Sequence, residues 1–278
     1  MNNIPKIPLG RWVDVIVTWI EENFASFFNL ISDAIEGFVN SIVLLLSVLP
    51  ALVLILIIAA LAYYSSRNWG LTIFTLIGLT FIWNLGYMEQ TIDTLALVLT
   101  SVIISVIVGI PFGIWASQSS RVSRIITPIL DFMQTMPAFV YLIPSILFFG
   151  IGVVPGIISS VIFAMPPTIR LTNLGIRQVP EDLVEAANAF GSTTRQKLFK
   201  LQLPLAIGTI MAGINQSIML ALSMVVIASL VGAPGLGVEV YRAVTRIEVG
   251  SGFEAGLSIV ILAIILDRIT QNLKPSRK

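Results

Sequence analysis

Long apolar runs separated by short polar breaks dominate the chain. They cover residues 40–64, 70–88, 92–117, 125–149, 154–174, 205–231 and 254–273. Each is close to the ~20 residues that a helix needs to cross ~30 Å of hydrocarbon at ~1.5 Å per residue. The pattern predicts seven membrane spans. Pro50 falls inside the first run and predicts a kink there. Asp131, Pro137 and Pro144 interrupt the fourth run, and the Pro166–Pro167 pair lies in the fifth. Residues 10–36 follow a different rhythm. Trp12, Ile16, Trp19, Phe24, Phe27, Ile31 and Ile35 recur at helical spacing, while Asp14, Glu21, Glu22, Asn29, Asp33 and Glu36 fill the other face. That predicts an amphipathic helix lying on the bilayer as a scaffold.

Composition agrees. The 278 residues are 56% hydrophobic and only 11% charged, against about a quarter charged in soluble domains. Cysteine and histidine are both absent. This removes disulfides, thiolate chemistry, Cys/His zinc sites and histidine general-base catalysis. No metal or catalytic site is expected, and the absence of paired intramembrane carboxylates also weighs against a membrane enzyme. No basic block suits nucleic acid. Lys6 and Arg11 are followed by Asp14, Glu21 and Glu22 rather than a clean apolar stretch, so no cleavable signal peptide is expected.

Charge asymmetry orients the spans. With the loop 177–204 and the C-terminus in the cytoplasm, Arg67, Arg121, Arg124, Arg170, Arg177, Arg195, Lys197, Lys200, Arg268, Lys274, Arg277 and Lys278 lie at or near the cytoplasmic face. Only Lys6, Arg11, Arg242 and Arg246 lie outside. The N-terminal side depends on the span count, and dividing 40–64 would reverse it. The basic tail could meet anionic lipid, although three charges after a span are also what topology alone requires.

The stretch from Gln178 to Pro204 is too polar for lipid and too rich in helix formers for a linker. Pro180 can open a helix, and Glu181 and Asp182 suit the positive end of its dipole. Gly191 fits the left-handed position after a helix end. Thr193 with Gln196 has capping-box spacing. Two short helices joined at a glycine follow, with Leu183, Phe190 and Leu198 exposed. Such a surface suits helix-in-groove docking on a partner; packing on the chain's own membrane domain is the alternative.

Glu185-Ala186-Ala187, Gly191 and Leu201-Gln202-Leu203-Pro204 stand at the spacing of the EAA loop of ABC importer permeases. Leu201 replaces the usual isoleucine. From about Thr91 onward the chain resembles the five-helix core of methionine-type and betaine-type permeases, including Asp131 to Pro137 and the cluster Gly232, Pro234, Gly235 and Gly237. The whole chain looks most like permeases of glycine betaine/proline betaine importers. The resemblance implies an all-α polytopic membrane fold. It has a scaffold segment 1–38, two accessory transmembrane helices in 39–90 and a permease core 91–275 with its coupling loop at 178–204.

The resemblance also implies Glu185, Ala186, Ala187, Gly191, Leu203 and Pro204 as coupling positions, with Glu185 fixing the loop through a polar partner. It implies a second permease copy, two ATPase subunits, an extracytoplasmic binding protein and a bacterial plasma-membrane location. No G-x-x-x-x-G-K-[ST] sequence occurs, so ATP and Mg are expected in the ATPase and no cofactor in this chain.

A solute pathway is expected at the dimer interface, with Gln134, Thr135, Asn215, Gln216, Ser217 and Ser223 as candidate lining; interhelical hydrogen bonding is the alternative for each. Phe139, Tyr141, Phe148 and Phe149 are candidate ring faces for a quaternary ammonium. The cargo could instead be choline, carnitine, proline or another amino acid. A secondary carrier or channel is the different-class alternative. It predicts an inverted repeat that is not visible, and Asp131 is the one acid well inside a predicted span. Gly109 and Gly113 form a GxxxG pair for close helix approach.

Overall fold

A computed structural model describes residues 8–272, and among these every regular element is helical. Lys6, Lys274, Arg277 and Lys278 lie outside the described residues.

Three helices form the centre: α4 (Met88–Gln118), α7 (Val153–Arg177) and α10 (Leu203–Ser229), with α7 between the other two. Their contact rests on small residues. A Cβ on Gly113 would lie 2.5 Å from Thr172 Cβ and 2.8 Å from the Ile169 carbonyl oxygen of α7. Gly109 faces Thr168, so the GxxxG pair serves close packing of α4 on α7 within the chain. On the α10 side of α7, a Cβ on Gly213 of α10 would lie 3.0 Å from the Pro167 carbonyl oxygen. Ser217 donates to the Ala164 carbonyl at 2.5 Å and shares a 2.8 Å bond with Thr168. Ser101, Ser105 and Ser160 are buried, and each donates to the carbonyl four residues earlier in its own helix. These serine hydroxyls fill the seam with their hydrogen bonds met, while Thr100 and Thr172 bury hydroxyls that have no partner among the described residues.

The remaining helices surround this centre. The 39-residue α1 (Leu9–Ser47) would extend ~58 Å if straight, well beyond one bilayer crossing. It breaks at Phe24, where φ is −120° and ψ 17°. The amphipathic arm ahead of the break is exposed; the part behind it buries Ile35 and Val39 against the central cluster. The scaffold helix is thus continuous with the first apolar segment. Helices α2 (Ala51–Ser66) and α3 (Trp69–Asn84) pack on each other and on α12 (Val249–Asn272) through Leu54, Ile55, Leu79, Ile82, Ile261 and Ile265.

Two predicted spans are divided. The run 40–64 does not kink at Pro50: α1 ends at Ser47 and Pro50 starts α2, since the residue before a proline is pushed out of the helical region. The run 125–149 becomes α5 (Ser120–Thr135) and α6 (Ala138–Phe149), bent by 99° at Met136–Pro137. Both residues there are extended, which again reflects the constraint before proline. Five described helices are long and apolar enough to cross a bilayer, and the bent pair is a sixth candidate. At 16 residues each, α2 and α3 reach only ~24 Å. The cluster from Gly232 to Gly237 makes the turn between α10 and α11 (Leu236–Arg246), fastened where Leu236 N–H donates to Thr94 Oγ1 at 2.9 Å.

The bent pair is held at several points. Tyr141 of α6 donates its hydroxyl to the Met133 carbonyl of α5 at 2.7 Å. Ser159 of α7 donates to Ser145 of α6 at 3.0 Å. Phe148 stacks on Phe28 of α1 at 4.5 Å. Arg170 of α7 meets Asp131 of α5 at 2.5 Å, giving this lone acid a partner.

Two outcomes follow. Gly113→Ala should destabilise the folded permease by about 1–3 kcal/mol through overpacking. Gly37→Ala, where a Cβ meets nothing within 4 Å, should be neutral or slightly stabilising; thermal unfolding in detergent compares them. Asp131→Asn should lower the yield of monodisperse protein, because it strands the Arg170 charge. The double neutralisation D131N/R170Q should recover much of that yield. Equal additive losses in fluorescence-detected size exclusion would show that the pair is uncoupled.

Candidate functional site

The loop between α7 and α10 folds as two short helices, α8 (Glu181–Ala189) and α9 (Thr194–Lys197). Pro180 precedes α8 with φ −50° and ψ 133°, and Glu181 and Asp182 occupy the first turn. The end of α8 closes through paired bonds: Ser192 N–H to the Ala187 carbonyl at 3.0 Å and Gly191 N–H to the Asn188 carbonyl at 2.9 Å. This pattern requires a left-handed residue after the helix end, and Gly191 has φ +73°. A Cβ at Gly191 would meet nothing within 4 Å. The glycine is needed for its backbone angle, not for space. Thr193 and Gln196 then form a complete capping box, with Thr193 N–H to Gln196 Oε1 at 2.9 Å and Gln196 N–H to Thr193 Oγ1 at 3.3 Å. Lys197 Nζ donates to Asn188 Oδ1 at 3.0 Å and ties the two helices together.

No break separates α9 from α10. A π-helical turn, Leu198–Gln202, joins them into one helix from Thr194 to Ser229. Pro204 sits in the first turn of α10. The wider turn ahead of it accommodates the missing N–H, so the proline does not end the helix. Leu203 lies half-buried beside it. The base of the loop is also anchored: Arg177, at the end of α7, donates to the Ala116 carbonyl of α4 at 2.8 Å.

The outer face of this unit is apolar where it is most exposed. Phe190 is 91% exposed, and Leu183 and Phe199 also face outward. Leu198 does not: it turns inward onto Ile176, Ala206 and Ile210. Its exposed neighbour Phe199, one position on, has the Arg195 guanidinium 6.0 Å above its ring. Thr193, Arg195, Gln196, Phe199 and Lys200 line an open hollow of about 480 Å³. The exposure of Phe199 could be read only by placing α9 and the π turn in register. Ala186 is exposed and Ala187 half-buried on α8. Glu185 is exposed and, among the described residues, makes no ion pair or hydrogen bond that would fix the loop.

The candidate pathway residues separate into two groups. Gln134, Thr135, Gln216 and Ser223 are exposed; Thr135 and Ser223 turn their hydroxyls back to their own helices, at Asp131 and Met219. Ser217 is fully buried between α7 and α10, where it bonds Thr168 and Ala164. Asn215 is also buried, and its Oδ1 has no partner among the described residues. On α10 the exposed positions Gly208, Ala212, Gln216, Met219 and Ser223 follow one face. On α5 only Leu130 is buried. The four aromatic candidates do not form a cage. Phe148 and Phe149 pack on Phe28, Tyr141 is buried in the bent pair, and Phe139 alone is largely exposed.

Comparison with known proteins accords with this architecture. Residues 109–278 match the family described as binding-protein-dependent transport system inner membrane component. The glycine betaine transport system permease protein OpuAB of Bacillus subtilis is 63% identical over 278 residues, all of this chain and 98% of that protein. The glycine betaine/carnitine transport permease protein GbuB of Listeria monocytogenes is 56% identical, covering 98% of this chain and 97% of that one. The glycine betaine/proline betaine permease ProW of Escherichia coli is 49% identical over 95% of this chain and 75% of its own. An inward-facing structure of the MetNI methionine ABC transporter shares the fold, with a TM-score of 0.60 at 22% identity over 66% of this chain and 94% of that one. The chain therefore belongs to the binding-protein-dependent transport system inner membrane components, as the multi-pass plasma-membrane permease subunit of an ABC importer whose ATPase and substrate-binding protein are separate partners.

Proposed function

We propose that this permease imports glycine betaine or a close relative of it, as a homodimer served by two ATPase subunits and an extracytoplasmic binding protein. The relatives named for glycine betaine support the cargo, since they match nearly the whole chain at 49–63% identity. Carnitine is the second reading, supported by the printed name of GbuB.

The observation that carries the mechanism is the unbroken helix from Thr194 to Ser229. Its lower end belongs to the coupling unit; its upper part presents Gln216 and Ser223 on an exposed face. Glu185, Ala186, Ala187, Gly191, Leu203 and Pro204 are the coupling positions in this reading. The ATPase seats Phe190, Leu183 and Phe199 in a groove. When two ATPase subunits close on ATP and Mg, the loop moves with them and α10 moves as a lever. The open faces of α5 and α10 meet the second permease copy and enclose the pathway. Gln134, Thr135, Gln216 and Ser223 then give a zwitterion weak, exchangeable polar contacts, so that it is not trapped in transit. Ser217 holds α10 against α7 instead, and Asn215 is buried away from the pathway face.

Connectivity supports one orientation. α7 and α12 end on the same side as the coupling unit, because α10 and α12 each cross once between them. Arg177, Arg195, Lys197, Lys200 and Arg268 share that side, so it is cytoplasmic by charge bias.

The test uses proteoliposomes holding the permease, its ATPase and the binding protein. Gly191→Val forces a β-branched residue to φ +73°, at a cost of order 1–3 kcal/mol. Glycine betaine imported per ATP hydrolysed should fall at least tenfold, while Gly37→Val should leave it unchanged. Normal uptake and normal co-purification of the ATPase with Gly191→Val would contradict the coupling role. Import of carnitine but not glycine betaine by the unmodified complex would overturn the cargo alone.

A further inference from the structure

The turn between α2 and α3 meets the last turns of α12 at a notch of about 410 Å³. Its upper wall is polar, with Ser66, Asn68, Arg268 and Asn272; its lower wall is apolar, with Leu71, Phe74 and Ile264. The polar wall offers donors. Asn68 Oδ1 is occupied by Gly70 N–H at 2.8 Å, and the exposed Asn68 amide N–H groups have no acceptor among the described residues. Ser66 Oγ is engaged by its own helix and by Asn68 N–H. The Arg268 guanidinium makes no ion pair or hydrogen bond among the described residues. The acid next to it in sequence, Asp267, is held by Gln271 with both oxygens at 2.7 Å. Arg67, at the tip of the same turn, is also unpaired among the described residues. It adopts φ +50°, an uncommon angle for a residue other than glycine. Among the described residues no carboxylate lines the notch.

Aromatic residues mark the depth of this site. Tyr63 and Trp69 lie with ring centroids 4.7 Å apart, and Tyr64 is 80% exposed. Tyrosine and tryptophan collect where hydrocarbon meets headgroups. The notch thus has cationic and amide donors at headgroup level and apolar walls directly below.

We infer that this notch is a binding site for an anionic phospholipid. The phosphodiester accepts hydrogen bonds from Arg268 and Asn68, and one acyl chain runs down Leu71, Phe74 and Ile264. Arg67 favours a headgroup without a cation of its own, so phosphatidylglycerol binds in preference to phosphatidylcholine. The lipid bridges the α2–α3 pair to α12. Charge-assisted hydrogen bonds to phosphate account for affinity, and the apolar walls separate a lipid from a free anion. The inference does not depend on the cargo or on the coupling role.

Native mass spectrometry of the permease–ATPase complex tests this, with phosphatidylglycerol and phosphatidylcholine added in equal amounts. The unmodified complex should retain phosphatidylglycerol about tenfold better. Arg67→Gln should remove that preference, whereas Arg268→Gln should lower retention of both lipids and Arg268→Lys should keep part of it. Ile264→Trp, which fills the lower wall, should reduce retention of phosphatidylglycerol while leaving the charges in place. Arg246→Gln, outside the notch, should change nothing. Inorganic phosphate at millimolar concentration should not displace the lipid; full displacement would show a free-anion site and overturn the lipid assignment. Undiminished phosphatidylglycerol retention in both Arg268→Gln and Ile264→Trp would overturn the site itself.

Discussion

The close approach of α7 to α4 and α10 is the constraint on which the rest of the fold depends. Helices in lipid gain little from hiding apolar side chains from one another, because lipid tails are equally apolar. Association must come from shape and from polar bonds that would otherwise be unmet. Here Gly109, Gly113 and Gly213 let backbones approach until Thr168 and Thr172 lie where a Cβ would be. Ser217 then reaches across to Thr168 and Ala164. The seam places α10 at a fixed distance from α7 while leaving its opposite face open.

That open face gives the coupling unit its purpose. A docking surface joined to α10 by a loose loop would dissipate motion. The π turn at Leu198–Gln202 keeps the helix continuous through Pro204, so α9 and α10 move as one body. The capping box, the Lys197–Asn188 bond and the Gly191 turn fix α8 to the same body. Exposed Phe190 at its tip would be costly in water without a partner. In the proposed function that partner is the ATPase subunit.

Much of this was legible in the sequence because it rests on local chemistry. The positions of α4, α7, α10 and α12 follow from apolar run length, and α8 and α9 follow from capping and glycine placement. What the sequence hid was set by tertiary geometry. An apolar run does not reveal whether a helix continues through a proline, as α7 does through Pro166 and Pro167, or divides there, as at Pro50 and Pro137. The scaffold helix carried no local stop signal before Ser47, so its continuity into the membrane segment was not visible. Polar residues on α10 looked alike in sequence; only their rotation about the helix separates buried Ser217 and Asn215 from exposed Gln216 and Ser223. Arg170 as the partner of Asp131 lies 39 positions away and had no sequence signal.

The most direct measurement of the central claim is site-specific photo-crosslinking from the tip of the coupling unit. A benzoylphenylalanine at position 190 of the permease, in the assembled complex, should attach covalently to the ATPase subunit. The same group at position 253, at the far end of α12, should not. Attachment at position 253 but not at position 190 would contradict the assignment of this loop as the ATPase-docking lever.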